Sequence, residues 1–584
     1  HDFHPEYGHA VPKDLIEKDI ILCKKNNITA IRTAHYPNAK VFYDLCDKYG
    51  VLVMSENNLE THGISYLIPR SNKKWSEQCC YRVRNMVNTF KNHPCIVSWS
   101  LGNEAGYGES FADMKKEILK IDKTRFVHYE ADSHLKSSDV FSKMYSKLES
   151  METIGKNKPI RHGTDIWRLI GVKLKPEEYK DKPFIQCEYA HCMGNSLGNF
   201  ADYWTEFKKY DRLAGGFIWD FADQTIKYTH KDGVTEWRYG GDFGDKPNSG
   251  VFVFNGIVRG DRSPNPALYE VRKQYQQVDI GLEKNKIIFK NRYLFTNLEE
   301  FNCKLEIYID GELFQEDVID MPSIAPGEEG ELKFNFNHKN INFQYDEVSV
   351  VISLLTKKAN LYSPENHCVA YEQIIVKKSD FSVDDIKSNC TYMQTDLEII
   401  IKFGPCTAII DKKTGSIISI DKNGYERLKE PFRLNFHRAT IDNDSLPQVN
   451  LKIVQFVIGV NRFKRAMKRL RVKKLNIFST EGVIKVSINW RMPYMKDLKT
   501  VYSFNGDGSF DVEMRVVPLV NLVRYGFTLA LREDVEKVSF YGKGPFENYC
   551  DRNTGALIKK YSGKVDDFMH DYLHPQENGN HTEV

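Results

Sequence analysis

Two glutamates stand where an apolar strand runs out. Residues 96–104 read IVSWSLGNE: six of the first seven positions suit a buried β-strand, then Gly-Asn turns the chain and presents the carboxylate of Glu104. The stretch PFIQCEYAHCMGN at 183–195 does the same for Glu188. Two carboxylates flanking one bond are the equipment of glycoside hydrolysis. One protonates the leaving oxygen. The other attacks the anomeric carbon if the pair is about 5–5.5 Å apart, or activates water if it is wider. An isolated strand-end glutamate ordinarily only caps its strand in a solvated loop, so the surroundings decide.

Those surroundings are an alternation of strands and helices. From residue 1 to about 278, short β-branched runs (ITAIRTAHYP, VLVMSEN, CIVSWSL, RFVHYEAD, DVFSKMY, PFIQCEY, GGFIWDF) alternate with amphipathic ones such as AKVFYDLCDKYG, SEQCCYRVRNMVNTFKNH and LGNFADYWTEFKKY. Seven strands in β/α order imply parallel pairing. His35, Glu56, Glu60, Glu104, Glu130, Tyr145, Glu188 and Asp220 all fall at or just past C-terminal strand ends. A (β/α)8 barrel gathers those ends on one face, which lets Glu104 and Glu188 share a cavity across 84 positions of sequence. The missing first strand is then expected upstream, with His1 at its tip. The opening HDFHPEYGHA and the closing HPQENGNHTEV both read as truncations.

From about 279 helical periodicity gives way to short alternating runs, among them CKLEIYIDGELF and EVSVVISLLT, with Asp-Gly and Pro-Gly turns. This predicts an immunoglobulin-like β-sandwich over 279–385 and a larger, incomplete β-sandwich over 386–584. A chain of 584 residues is long enough for three domains, a barrel over 1–278 and these two sandwiches. With 82 basic against 79 acidic residues, phosphate attraction does not organise the whole protein, so no nucleic-acid partner is expected. No apolar run reaches the roughly 18–20 residues a membrane helix needs. Twelve scattered cysteines without C-x-x-C spacing predict reduced thiols and a cytoplasmic setting.

The motifs WSLGNEAGYG, CEYAHCMGNSLGN, LETHG, IRTAHYPN and GGFIWDFADQ, followed in order by GGDFGDKPN, RATIDND, YGKGPFENYCDR and PQENG, closely resemble the β-galactosidases of glycoside hydrolase family 2. The resemblance implies a TIM barrel and a galactose-mutarotase-like C-terminal sandwich. It implies retaining hydrolysis of terminal β-D-galactosides such as lactose, with Glu188 as nucleophile and Glu104 as acid/base. It places Asn103 at the sugar 2-hydroxyl or beside the nucleophile, and Tyr145 next to the nucleophile. Arg32 and His35 position the nucleophile and the sugar. His1 matches the first histidine of an RHEHHP-type motif, and His191 and Trp219 contact galactose. Each of these has a plainer reading, since buried histidines and tryptophans are commonly core residues.

The resemblance also implies two cations. Glu60, His62 and Glu104 match magnesium ligands. On an extended LETHG segment, Glu60 and His62 would point the same way. The single imidazole would equally admit Mn²⁺. Phe252, by its carbonyl, and Asn255 match two ligands of a Na⁺ ion, whose aspartate ligand comes from an N-terminal segment outside this sequence. The family's N-terminal sugar-binding domain and late aromatic lid lie outside it too. Family members commonly form homo-oligomers.

The sequence departs from the family at SENN, 55–58, where DEAN is usual, at Cys192, commonly Ala, and in a longer, more basic 146–182 stretch. NRFKRAMKRLRVKKLN at 461–476 holds eight basic residues and reads as a solvated sandwich edge rather than an RNA or membrane stripe. Two rivals stand beside the β-galactosidase reading: a sister enzyme for β-glucuronides or β-mannosides, and a catalytically incompetent carbohydrate-binding fragment. A metal-dependent hydrolase is disfavoured by the lack of an H-x-H pair.

Overall fold

A computed structural model describes residues 2–162, 171–284, 286–333, 347–378, 389–444 and 461–584. His1 lies outside the described residues.

The first region alternates α1 (Lys13–Lys25), β1 (Ala30–Arg32), α2 (Lys40–Tyr49), β2 (Leu52–Glu56), α3 (Lys73–Phe90), β3 (Ile96–Ser100), α4 (Glu109–Ile121), β4 (Phe126–His128) and β5 (Phe141–Met144). After α5 (Leu148–Gly155) a short antiparallel pair intervenes, β6 (Ile160–His162) and β7 (Val172–Leu174). Then come α6 (Pro176–Tyr179), β8 (Phe184–Tyr189), α7 (Phe200–Lys209), β9 (Leu213–Ile218), the hairpin β10–β11 (Ile226–Thr229 and Thr235–Arg238) and α8 (Pro266–Gln274). The seven strands read from sequence are present as two parallel sheets, β1–β2–β3–β4 and β5–β8–β9. The two small antiparallel pairs, β6–β7 and β10–β11, were not legible as β/α units.

The helices form where apolar residues recur at helical spacing. α2 buries Phe42, Tyr43, Leu45, Cys46 and Tyr49 along one face. α3 opens on Asn72, whose side chain accepts the Lys74 N–H and satisfies one of the free donors at the helix start. Their apolar faces build one core with β1–β4, around Tyr43, Val53, Trp99 and Phe111. A second core around Phe141, Phe184, Tyr189 and Phe200 packs α5, α7 and α8 onto β5, β8 and β9. Interior side chains join the two sheets: the His128 ring on β4 meets Ser142 Oγ on β5 at 2.8 Å, and Arg32 on β1 donates to the Cys187 carbonyl on β8 at 3.0 Å. The two sheets are therefore neighbours at both junctions, β4 with β5 and β1 with β8.

Beyond β12 (Val278–Glu283) the chain is almost all strand. β12, β13 (Lys286–Asn291) and β16 (Glu329–Lys333) form one antiparallel sheet. β15 (Glu312–Asp320), β14 (Phe301–Ile309), β17 (Val348–Thr356) and β18 (Cys368–Lys377) form the other, in that order. β14 buries alternate residues, as one sheet face over a core requires, and β17 is buried along nearly its whole length. In the last region a seven-stranded sheet and a four-stranded sheet close over one core that includes Ile399, Phe403, Val486, Ile488, Tyr502 and Phe504.

The basic stretch begins as a short helix, α9 (Asn461–Met467), not read from sequence, and continues into Arg471–Thr480, an edge strand of the four-stranded sheet. Lysine and arginine on an edge discourage pairing with another chain, in keeping with the solvated-edge reading. Ser55 and Asn57 of SENN are buried, bonding Tyr43 Oη at 2.9 Å and the Leu101 carbonyl at 3.1 Å. All twelve cysteines are free thiols. Among the described residues no helix is long and apolar enough to cross a membrane.

Candidate active site

The site is built around the guanidinium of Arg32, at the end of β1. Its Nε and Nη2 fork onto Glu56 Oε2 and Oε1 at 2.8 and 2.9 Å. Nη1 donates to Glu188 Oε1 at 2.9 Å, and Nη2 also reaches Asn103 Oδ1 at 2.9 Å. One cation thus ties the ends of β1, β2, β3 and β8 together, using the rigid, planar donor array that suits arginine to paired carboxylates.

Glu188 is 6% exposed. Its second oxygen accepts the Tyr145 hydroxyl proton at 2.9 Å. Burial raises its pKa above the ordinary carboxylate value, and Arg32, His35 and Tyr145 act against that rise. Burial and the adjacent Glu188 charge push the Tyr145 phenol well up, so it stays a donor. The charge of Arg32 is shared with Glu56. Burial drives the Glu56 pKa up, but Arg32 and His35 outweigh it and hold the group down to about 2. Glu188 is therefore oriented by two donors without being locked into a private ion pair.

Beneath this layer lies a buried polar ladder. Ser100 Oγ donates to Glu56 Oε2 at 2.7 Å and meets His128 Nδ1 at 2.9 Å. Burial lowers His128 to about 3, which keeps it neutral. Sequence reasoning named Glu56 only as a strand-end residue and overlooked Ser100, His128 and Ser142. The available signal was polar residues at alternate positions of otherwise apolar strands, as in SWS and FVHYE, marking the barrel-interior face.

A pH dependence follows. A carboxylate with a depressed folded-state pKa stabilises the fold above its unfolded value and loses that contribution as pH falls through the folded value. Stability should decline as pH drops from 4.5 toward about 2. Urea midpoints measured across that window should fall in the wild type and fall less steeply in Glu56→Gln.

Glu104 arrives by a different route. The turn after β3 needs Gly102: at φ 149°, a Cβ there would lie 2.5 Å from the Leu59 carbonyl oxygen. That close approach lets the Asn103 N–H donate to the Leu59 carbonyl at 2.8 Å and pairs Glu60 with Asn103 as a parallel bridge. Glu60, His62 and Glu104 then converge, their ligand atoms all within 4.8 Å of one another. His62 Nδ1 is 2.5 Å from Glu104 Oε2, and Asn103 Nδ2 donates to Glu60 Oε1 at 3.2 Å. His62 does not continue an extended segment as expected; it opens a 3₁₀ turn, His62–Ile64. The convergence comes from that turn and the Glu60–Asn103 bridge rather than from period-2 alternation.

The remaining residues line the opposite wall. The His35 ring stacks on Trp219, centroids 5.0 Å apart and 14° from parallel, with Nδ1 3.1 Å from Glu56 Oε1. With the Asn255 amide oriented to satisfy both neighbours, its carbonyl accepts the Trp219 indole N–H at 2.9 Å and its NH₂ donates to the Val253 carbonyl at 3.2 Å. The ring of His191 sits 6.0 Å from that of Tyr145 and 6.2 Å from that of Phe252. Burial lowers its pKa, favouring the neutral imidazole. Arg32, His35, Glu56, Asn103, Tyr145 and Glu188 are joined directly by hydrogen bonds, with Trp219 stacked on His35 and His191 beside Tyr145.

Three family models match this chain: "Glycosyl hydrolases family 2, TIM barrel domain" over residues 1–280, "Beta-galactosidase, domain 4" over 287–377 and "Beta galactosidase small chain" over 404–584. The chain belongs to glycosyl hydrolase family 2. Its first region is that family's TIM barrel, followed by β-sandwich domains. A β-galactosidase of Priestia megaterium is 34% identical over 605 residues, spanning 100% of this family 2 chain and 56% of the relative. A β-galactosidase of Vibrio cholerae is 34% identical over 593 residues, 99% of the chain and 56% of the relative. The chain spans about half the length of the curated relatives it matches. A solved β-glucuronidase of Faecalibacterium prausnitzii aligns at 22% identity over 47% of each chain, with a TM-score of 0.34.

Proposed function

We propose that the protein hydrolyses terminal non-reducing β-D-galactosides with retention of anomeric configuration. The observation that carries the reading is the environment of Glu188: a buried carboxylate held by Arg32 and Tyr145, linked through the same guanidinium to the residue preceding Glu104. Relatives named β-galactosidase, 34% identical over about half of their own length, support the choice of sugar.

In the first step a Glu188 oxygen attacks the anomeric carbon and the bond to the aglycone oxygen breaks. That oxygen takes its proton from Glu104. In the second step water attacks the same carbon and gives a proton to Glu104. The glycosyl ester bond breaks and Glu188 leaves as a carboxylate, so two inversions give retention. Arg32 and Tyr145 orient the nucleophile. Trp219, backed by His35, offers an apolar face to the sugar ring. Asn103 and His191 supply hydrogen-bonding groups, and His1 would add another.

Glu60, His62 and Glu104 fit a divalent cation, because their donor atoms converge and two of the three residues are carboxylates. Mg²⁺, or Mn²⁺ given the imidazole, would be held there, supplying positive charge beside Glu104. Asn103, hydrogen-bonded to Glu60, steadies that ligand. Asn255 Oδ1 keeps a lone pair beyond the indole bond, so with the Phe252 carbonyl it offers Na⁺ two ligands. Metal binding by calorimetry should weaken on the order of 10- to 100-fold in Asn103→Ala. Unchanged affinity would remove Asn103 from the site's support. A β-galactoside is the partner proposed here, in an enzyme that assembles as a homo-oligomer and works in the cytoplasm.

The deciding experiment labels the full-length protein with a 2-deoxy-2-fluoro-β-galactoside and maps the modified peptide. The label should sit on Glu188; a label elsewhere overturns the assignment. A panel of nitrophenyl galactosides, glucuronides and mannosides separates the sister activities. In Glu104→Gln, hydrolysis of substrates with poor leaving groups should slow on the order of 100- to 10,000-fold, and activated aryl galactosides far less.

A further inference from the structure

The segment after β8, residues 190–199 (AHCMGNSLGN), has two faces. One belongs to the site: it carries His191, its Cys192 N–H donates to the Trp219 carbonyl at 2.7 Å, and its Gly194 N–H donates to the Phe254 carbonyl at 2.9 Å. The other face is gripped by the C-terminal region. Gln576 Oε1 accepts the Asn195 N–H at 2.9 Å. The Asn195 side-chain NH₂ donates to the Glu577 carbonyl at 2.6 Å and to Tyr549 Oη at 2.9 Å. Arg552 Nη1 donates to the Ser196 carbonyl at 2.6 Å, and the Asn199 N–H to the Asp551 carbonyl at 2.7 Å.

The gripping side chains are themselves fixed. Gln576 Nε2 donates to Asp442 Oδ2 at 3.0 Å. Arg552, 4% exposed, pairs with Glu547, 2% exposed, at 2.9 Å, and Tyr572 donates to the same carboxylate oxygen. Gly194 is what allows the approach. Its φ is 57°, and a Cβ there would lie 2.3 Å from Asp442 Oδ2 and 2.6 Å from the Gln576 amide. A buried charged pair and a bridging amide at one loop form a connected polar network in which each bond restrains the others.

We infer that Gln576 and Arg552 are positioning residues: they set the loop that places His191 and backs Trp219, so the last region of the chain determines how tightly the sugar is held. The inference rests on the reading of this cavity as the glycoside site. A C-terminal region that merely stabilised the fold would leave sugar affinity unchanged in the molecules that do fold.

The test uses the full-length protein with Gln576→Met, which keeps volume and removes the side-chain amide's hydrogen bonds to Asn195, Asp442 and His574, and Arg552→Lys, which keeps charge and loses the fork. Competent sites are counted by fluorosugar titration. KM and the inhibition constant of a non-hydrolysed thiogalactoside are then measured per competent site. Both constants should rise about tenfold or more, with kcat less affected, since losing a buried hydrogen bond while its partner remains is worth about that factor. Unchanged constants with only a lower melting temperature or site count overturn the inference. If the wild type turns over no galactoside, the substrate reading fails. Hydrogen exchange still decides the clamp: faster exchange at the Asn195 amide in Gln576→Met upholds it, and unchanged protection sinks it.

Discussion

Replacing Glu188 with alanine should lower the turnover of aryl β-galactosides on the order of 10,000-fold or more, the size of effect seen when a member of a catalytic unit is deleted. The fold should survive. Arg32 keeps its fork onto Glu56 and its bond to Asn103, so no buried cation is stranded. Tyr145 loses its acceptor but retains its backbone bond to the residue 188 carbonyl, at 2.8 Å. The space vacated by the carboxylate lies on the face from which the nucleophile attacks. Added azide should enter it and give α-galactosyl azide, the product of a single inversion. Residual hydrolysis within about tenfold of wild type, or a β-azide product, would remove Glu188 from the nucleophile's role.

Arg32→Met should destabilise the protein by about 3–5 kcal/mol, the cost of removing one partner from a buried ion pair. Glu56 is fully buried and Glu188 nearly so, and the substitution leaves both without their cation. Two carboxylates so placed cannot both stay ionised, and the pKa of Glu188 should climb further than burial already takes it. Activity should therefore fall beyond what the stability loss explains, and its pH profile should move alkaline. Arg32→Lys should rescue little, because an ammonium cannot serve Glu56, Glu188, Asn103 and the Cys187 carbonyl at once. Urea unfolding gives the energy. A loss below about 1 kcal/mol would mean that water or a neighbouring group replaces the guanidinium.

The order of strands and helices in the first region was legible because periodicity is local: apolar residues every second position make a strand, and at helical spacing a helix. So were Glu104 and Glu188, each closing an apolar run. The 3₁₀ turn at His62, the helix at 461–467, the strand pair 160–162 with 172–174 and the hairpin at 226–238 were not, since short elements are held by contacts rather than by their own pattern. Glu56 shows the same limit in the site. Its sequence context, SENN, says nothing of a partner, and its role is set by Arg32, 24 positions earlier, on the neighbouring parallel strand.

By itself, then, the order of residues determined which chemistry was carried: two strand-end acids, an E-x-H pair and the turn glycine that lets Asn103 and Glu104 reach the cavity. Only the tertiary structure decided which groups share a charge. One guanidinium bridges Glu56, Glu188 and Asn103, and Asp442 and Gln576, from the far end of the chain, close on Gly194. The reason is physical: Coulombic and hydrogen-bond energies depend on separations of a few ångströms and on burial, and parallel sheets bring together residues that sequence distance keeps apart.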